Sequence, residues 1–158
     1  MTDVDIFVSR LRQHPSWYHE FLPPCSDEMI RRLEEELGEM PRILRSILNQ
    51  FNGARLFISA SPVLSLFRVS DIPLLSRFEW NSEWCIDSFT RRWREAGNGR
   101  QGDWCVAMTN YGGLLILNCD GLVKEWDTGT RQMILKNISF GELMQKILDE
   151  GEFIMNEH

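Results

Sequence analysis

The chain has 158 residues, 43% of them apolar and 25% charged, with a formal net charge of −6. That length buries a core in one domain without disulfides or metals. The acidic balance argues against a protein that grips phosphate backbones through Lys and Arg. The same charge serves solubility, and it suits a basic protein partner whose opposite field speeds encounter.

No run approaches the ~20 apolar residues of a membrane span. The opening "MTDVDIFVSRLRQ" places acids where a signal peptide carries bases. A cytoplasmic protein is the expectation, and there Cys25, Cys85, Cys105 and Cys119 stay reduced. No C-x-x-C pair marks a zinc site. Cys85 and Cys105 fall in apolar patterns and read as core residues. No cofactor or metal is expected.

Val4, Phe7, Val8 and Leu11 line a first amphipathic helix that His14-Pro15 ends. "SWYHEFLPPC" reads either as a short helix or as an irregular segment packed on the body. Ser26 caps a second helix, with Asp27 and Glu28 in its first turn, Ile30, Leu33 and Leu37 as its stripe, and Gly38 at its end. Pro41 opens a third helix at a first-turn position. Ile43, Leu44, Ile47, Leu48 and Phe51 face a core, and Asn52-Gly53 stops that helix.

From Arg55 the period changes to that of strands, "RLFIS" and "VLSLFRV", the latter ended by Pro73. "SEWCIDSFTRRWREAG" is a fourth helix, with Ser82 as cap, Ile86, Phe89 and Trp93 as stripe, and Gly97 as stop. Asp87, Arg91, Arg92 and Arg94 lie mostly away from that stripe. After the loop "NGRQG" comes a meander, "WCVAMT", "LLILN", "LVKEW" and "RQMILKN", joined by turns of Gly with Asn, Asp or Thr. "LLILN" is apolar on both faces, as a central strand is.

Ser139 and Glu142 form the capping box of a closing helix, with Ile138 and Leu143 as its staple. Phe140, Leu143, Met144, Ile147 and Leu148 line its buried face. Gly151 ends it, leaving residues 152–158 as a flexible tail. Segregated helices and mostly antiparallel strands make an α+β fold in a single domain over residues 1–158. Its sheet has about six strands, with one helix inserted mid-chain and the C-terminal helix packed on the sheet.

Catalytic signatures are missing. A nucleophile pair of Cys25 with His19 needs a third, orienting group, and nothing in the sequence supplies it. Ser61 and Ser65 lack a hydrolase elbow, and the glycines of "NYGGLL" and "GNGRQG" lack phosphate-binding spacing. No enzyme is expected.

"FEWNSEWCID" and "GDWCVAMTNY" carry more information. They place Trp80, Trp84, Trp104 and Tyr111 beside Glu79, Glu83, Asp87 and Asp103. Aromatic anchors ringed by acids suit an interface with a basic protein. The competing reading has the rings plugging the space between helices and sheet, with Glu79 and Glu83 as solvated residues at a helix start.

Three blocks carry a resemblance: "IRRLEEELGEMPRILRSILNQFNG", "GGLLILNCDGLVKEWD" and "ISFGELMQKIL". In that order the chain resembles the SUKH superfamily, which groups the fungal Knr/Smi cell-wall regulators with bacterial immunity proteins. Glu36, Leu37, Gly38, Pro41, Asn52 and Gly53 sit on its opening pattern, with Met40 where the pattern has Leu. Asp120, Gly121, Val123 and Trp126 sit on its strand–turn–strand. Residues 1–25 are an extension without a counterpart.

The resemblance implies a non-enzymatic binding module, an immunity protein that occludes a cognate toxin. A nuclease fits best, because its basic groove complements acids around an aromatic patch. The alternative is a ligand-binding or regulatory scaffold whose helix–sheet cleft holds a small molecule.

Overall fold

The hydroxyl of Thr2 accepts the Asp5 amide at 3.2 Å while the Asp5 carboxylate takes the Thr2 amide at 3.1 Å. This capping box opens α1, Asp3–Gln13. Val4, Phe7, Val8 and Leu11 are all buried, as their spacing predicts. A computed structural model of the chain describes residues 2–58, 64–66, 85–97, 99–109 and 112–156.

The segment after α1 is not a helix; it is largely irregular and packed on the body, as the second reading expects. Glu20–Phe21 form a short strand, β1, on the edge of the sheet. Backbone bonds then lash the Pro23-Pro24 stretch to the Asn52-Gly53 turn: Leu22 donates to Gly53, Asn52 to Pro23 and Cys25 to Leu48. Between these points lie α2, Asp27–Leu37, and α3, Arg42–Gln50. Ser26 caps α2 by accepting the Met29 amide at 3.2 Å. Pro41 stands just ahead of α3 rather than within its first turn.

β2, Ala54–Leu56, and β3, Leu64–Leu66, lead on to α4, Ile86–Glu95. That helix begins after Cys85 and not after Ser82, which lies outside the described residues together with Pro73. β4, Trp104–Thr109, β5, Gly113–Leu117, β6, Leu122–Asp127, and β7, Gln132–Ser139, form the predicted meander. Among the described residues the sheet has seven antiparallel strands in the order β1-β2-β3-β4-β5-β6-β7. The seventh, beyond the six the sequence predicts, is β1.

Helices cover both faces of this sheet. Val106 and Leu115 meet Phe7 of α1 and Leu143, Met144 and Ile147 of α5, Phe140–Asn156. On the opposite face the Cys105 thiol reaches the Phe89 carbonyl of α4, and Trp126 meets Trp93 edge-on at 5.4 Å. β5 is therefore buried along its whole length. The fold is α+β, as the pattern of elements predicts.

Gly151 does not end α5. The helix continues to Asn156, and Met155 is buried, so residues 152–156 are not a loose tail. A Cβ at Gly151 would lie under 3.0 Å from the Phe57 ring. Glycine serves here for want of a side chain and not for a left-handed turn.

Candidate functional site

Of the eight residues read as a partner-binding face, the structure describes Asp87, Asp103 and Trp104. Glu79, Trp80, Glu83, Trp84 and Tyr111 lie outside the described residues. The three that are described are buried, at 7%, 2% and 0% exposure. They do not offer an exposed aromatic surface ringed by acids.

The Asp103 carboxylate accepts the Trp93 indole N–H and the Arg100 amide, each at 3.0 Å, and Lys124 Nζ stands 3.4 Å away. Arg94 reaches from α4 to the Asp103 carbonyl at 3.0 Å and the Leu37 carbonyl at 2.6 Å, and its guanidinium lies over the Trp104 ring. Asp87 pairs with Arg91, which also meets Glu36 of α2. These groups lock α4 to β4 and to the end of α2. A buried acid with its donors matched is structural in effect, since unpaired it would be costly. Asp87 and Arg94 were expected on the outer side of α4; α2 and β4 pack against that side and cover them.

A different surface brings the sequence blocks together. Gly38, at φ +96°, turns the chain out of α2, and Glu34 accepts the Met40 amide at 3.0 Å while pairing with Arg45. This fixes the α2–α3 link. On the sheet side, Asn118 shapes the β5–β6 turn by accepting the amides of Asp120 and Leu122 at 2.9 and 3.0 Å. Gly121, at φ +80°, passes close to Ile43 and accepts the Phe140 amide at 3.1 Å, which ties the start of α5 to the same turn.

Between link and turn runs an open groove of about 410 Å³, lined by Glu39, Met40, Pro41, Arg42, Ile43, Cys119, Asp120 and Gly121. Met40 and Pro41 are buried beneath it, whereas Glu39, Arg42, Cys119 and Asp120 are exposed at its edges. Two carboxylates against one guanidinium leave the rim negative. The sequence signal for Glu39, Arg42 and Cys119 was slight, since each is an ordinary polar residue next to a turn. Of the exposed rim residues, Asp120 alone falls on the family's strand–turn–strand pattern.

The profile of the SMI1/KNR4 family (SUKH-1) matches residues 24–146. The chain belongs to this family. No curated protein matches it. The SUKH-1 region contains the whole groove and the Asp103 network; α1, β1 and the last turns of α5 flank it.

Two of the buried thiols, Cys25 and Cys105, are unsuited to attack. Burial, and secondarily Asp27, pushes the Cys25 thiol up to about 11. Burial pushes Cys105 higher still. A thiol so raised stays protonated and is a poor nucleophile. Both ring nitrogens of His14 and of His19 are engaged with partners other than Cys25. Among the described residues, no group of three or more His, Cys, Asp or Glu side chains is arranged to hold a metal ion, and no helix is long and apolar enough to cross a membrane.

Proposed function

We propose that this SUKH-1 chain is a non-enzymatic binding module, an immunity protein that acts in the cytoplasm by covering the active site or substrate groove of a cognate toxin. The carrying observation is the groove itself. Its two contributors, the α2–α3 link and the β5–β6 turn, belong to two blocks of the family pattern, the third block is tied to the turn through the Phe140 amide, and its exposed carboxylates Glu39 and Asp120 face solvent.

An open groove with an apolar floor and a negative rim fits an Arg or Lys side chain presented by a protein. It does not enclose a small molecule as ligand pockets do, which favours a protein partner over a ligand module. Net charge −6 adds long-range attraction to a basic target. A nuclease domain has that basic character, because it must hold a phosphate backbone. The raised thiols and engaged histidines support action by coverage and not by chemistry.

The test is co-expression with the toxin encoded beside this gene. Growth rescue and co-purification are expected. Reversing the rim charges with E39K and D120K should weaken binding by roughly tenfold or more, about 1.4 kcal/mol, with thermal unfolding unchanged. If no neighbouring toxin is bound or neutralised, the immunity reading is wrong.

A further inference from the structure

A line of hydrogen bonds joins the two ends of the chain to the sheet. Arg10 holds Glu152 through Nε–Oε1 at 2.9 Å and Nη2–Oε2 at 2.7 Å, with Asp149 at 3.6 Å. Glu152 Oε1 meets His14 Nε2 at 2.9 Å. His14 Nδ1 meets His19 Nε2 at 2.8 Å, and His19 Nδ1 meets the Phe57 amide at 3.0 Å.

The proton positions along this line follow from its last member. A backbone N–H only donates, so His19 Nδ1 must be bare and accept. A neutral His19 then carries its proton on Nε2 and donates to His14 Nδ1. That nitrogen is bare in turn, so the proton of His14 sits on Nε2 and points at the Glu152 carboxylate. The Phe57 amide thus sets the tautomer of both rings.

The same logic leaves no room for another proton. On His19 it would occupy Nδ1 and face the Phe57 N–H. On His14 it would occupy Nδ1 and face the His19 N–H. Either way the line breaks at His19. The surroundings add to the penalty: Tyr18, Phe21 and Phe57 pack around the buried His19 ring, and Phe57 is fully buried. Burial, and next the His14 charge, pulls His19 down to about 4.

The charged and titratable groups around the pair do not relieve this. Arg10 of α1 and Asp149 and Glu152 of α5 lie on the His14 side; Tyr18 adds a ring. Glu20 of β1 stands opposite Arg55 of β2 at 3.4 Å. Arg10 chiefly, and then His14, holds Glu152 below the usual carboxylate range, so that end of the line stays charged as the solution is acidified.

We propose that the His14–His19 pair is an acid-released latch holding the two segments that flank the SUKH-1 domain, residues 2–23 and 147–156, against the backbone at Phe57, just past β2. Every side chain in the line lies outside the matched region; within it, only the Phe57 amide takes part. Addition of a proton breaks the tie between α1, the end of α5 and the Phe57 backbone while the Arg10–Glu152 pair persists. This inference stands apart from the reading of the groove.

The experiment is NMR on the full chain between about pH 7.5 and pH 4. Long-range ¹H–¹⁵N spectra should show both imidazoles as Nε2–H tautomers at neutral pH, with the His19 midpoint well below the ordinary value near 6.5. Amide exchange, corrected for its intrinsic pH dependence, should rise in residues 2–23 and 147–156 by up to roughly tenfold per pH unit as the pH falls from about 6.5 toward the His19 midpoint, and level off below it, ahead of the β4–β6 amides. In H19N the amide side-chain oxygen can still accept from Phe57 but cannot titrate, and the acid-dependent rise should vanish. A neutral Nδ1–H tautomer on either ring would overturn the latch. So would flanks that keep their protection as His19 titrates, or flanks and sheet that lose protection together. If H19N does not fold, the tautomers and exchange of the unaltered chain decide the matter.

Discussion

Replacing Gly151 with Ala separates a local argument from a tertiary one. Gly151 lies inside α5, where local propensity alone gives Ala an advantage of about 0.8–1.0 kcal/mol. Against that, the new methyl would sit under 3.0 Å from the Phe57 ring. The ring has little room to withdraw: Phe57 is fully buried, its amide is bonded to His19, and its backbone already has φ of 56°, unusual for a bulky residue. Overpacking of this kind costs about 1–3 kcal/mol, and the fixed position of Phe57 puts this site in the upper half of that range. G151A should therefore be destabilised by about 1–2 kcal/mol net, a fall in Tm of roughly 2–8 °C for a chain of this size. Circular-dichroism melts at neutral pH measure it. Adding F57L, which shortens the obstructing ring, should make the two substitutions couple favourably by at least about 0.5 kcal/mol. A higher Tm for G151A, or strict additivity with F57L, would refute the packing account and leave helix propensity in command at this position.

Asp103→Ala should cost about 2–4 kcal/mol in urea unfolding, because it strands the Trp93 indole N–H and the Arg100 amide and removes the partner of Lys124. Toxin binding measured below the unfolding transition should be unchanged, as the residue is not on the surface; a selective loss of binding would restore it to the interface. Stability should also fall with acid. His19 is held below its ordinary 6.5, so the unfolded chain takes up the proton first, and stability present above about pH 6.5 is lost progressively as the pH falls toward 4. A displacement of this size amounts to at most about 3 kcal/mol. Glu152, also depressed, adds loss of the same sign at lower pH, as its own carboxylate protonates. Urea melts across this range should show the slope, and H19N should flatten the portion above about pH 4; an unchanged slope in H19N would assign it elsewhere.

Much of the fold was legible from short-range chemistry. Ser26, the stripe of Val4, Phe7, Val8 and Leu11, and the boundaries of "WCVAMT" fall where capping and period put them. The Thr2–Asp5 capping box is equally local, a Thr with an Asp three residues on. β1 was not readable, because two residues carry no period; its strand character comes from pairing with Arg55 and Ala54. The candidate site was less legible still. Trp104 and Asp103 look like surface anchors beside a loop, but α4 folds over them, and a Trp–acid pair in sequence does not reveal which helix will cover it. The groove joins residues about eighty positions apart, 39–43 with 119–121, so its rim exists only once the β5–β6 turn is brought against the α2–α3 link.

Composition and local pattern alone determined the α+β class, most helix ends, the meander and the negative net charge. These depend on residues a few positions apart. Tertiary packing decided what glycine does at 151, which acids are buried, where the open groove lies and how a backbone amide sets the protons on two histidines. Each of those rests on atoms brought within a few ångströms from distant parts of the chain, and periodicity carries no record of such meetings.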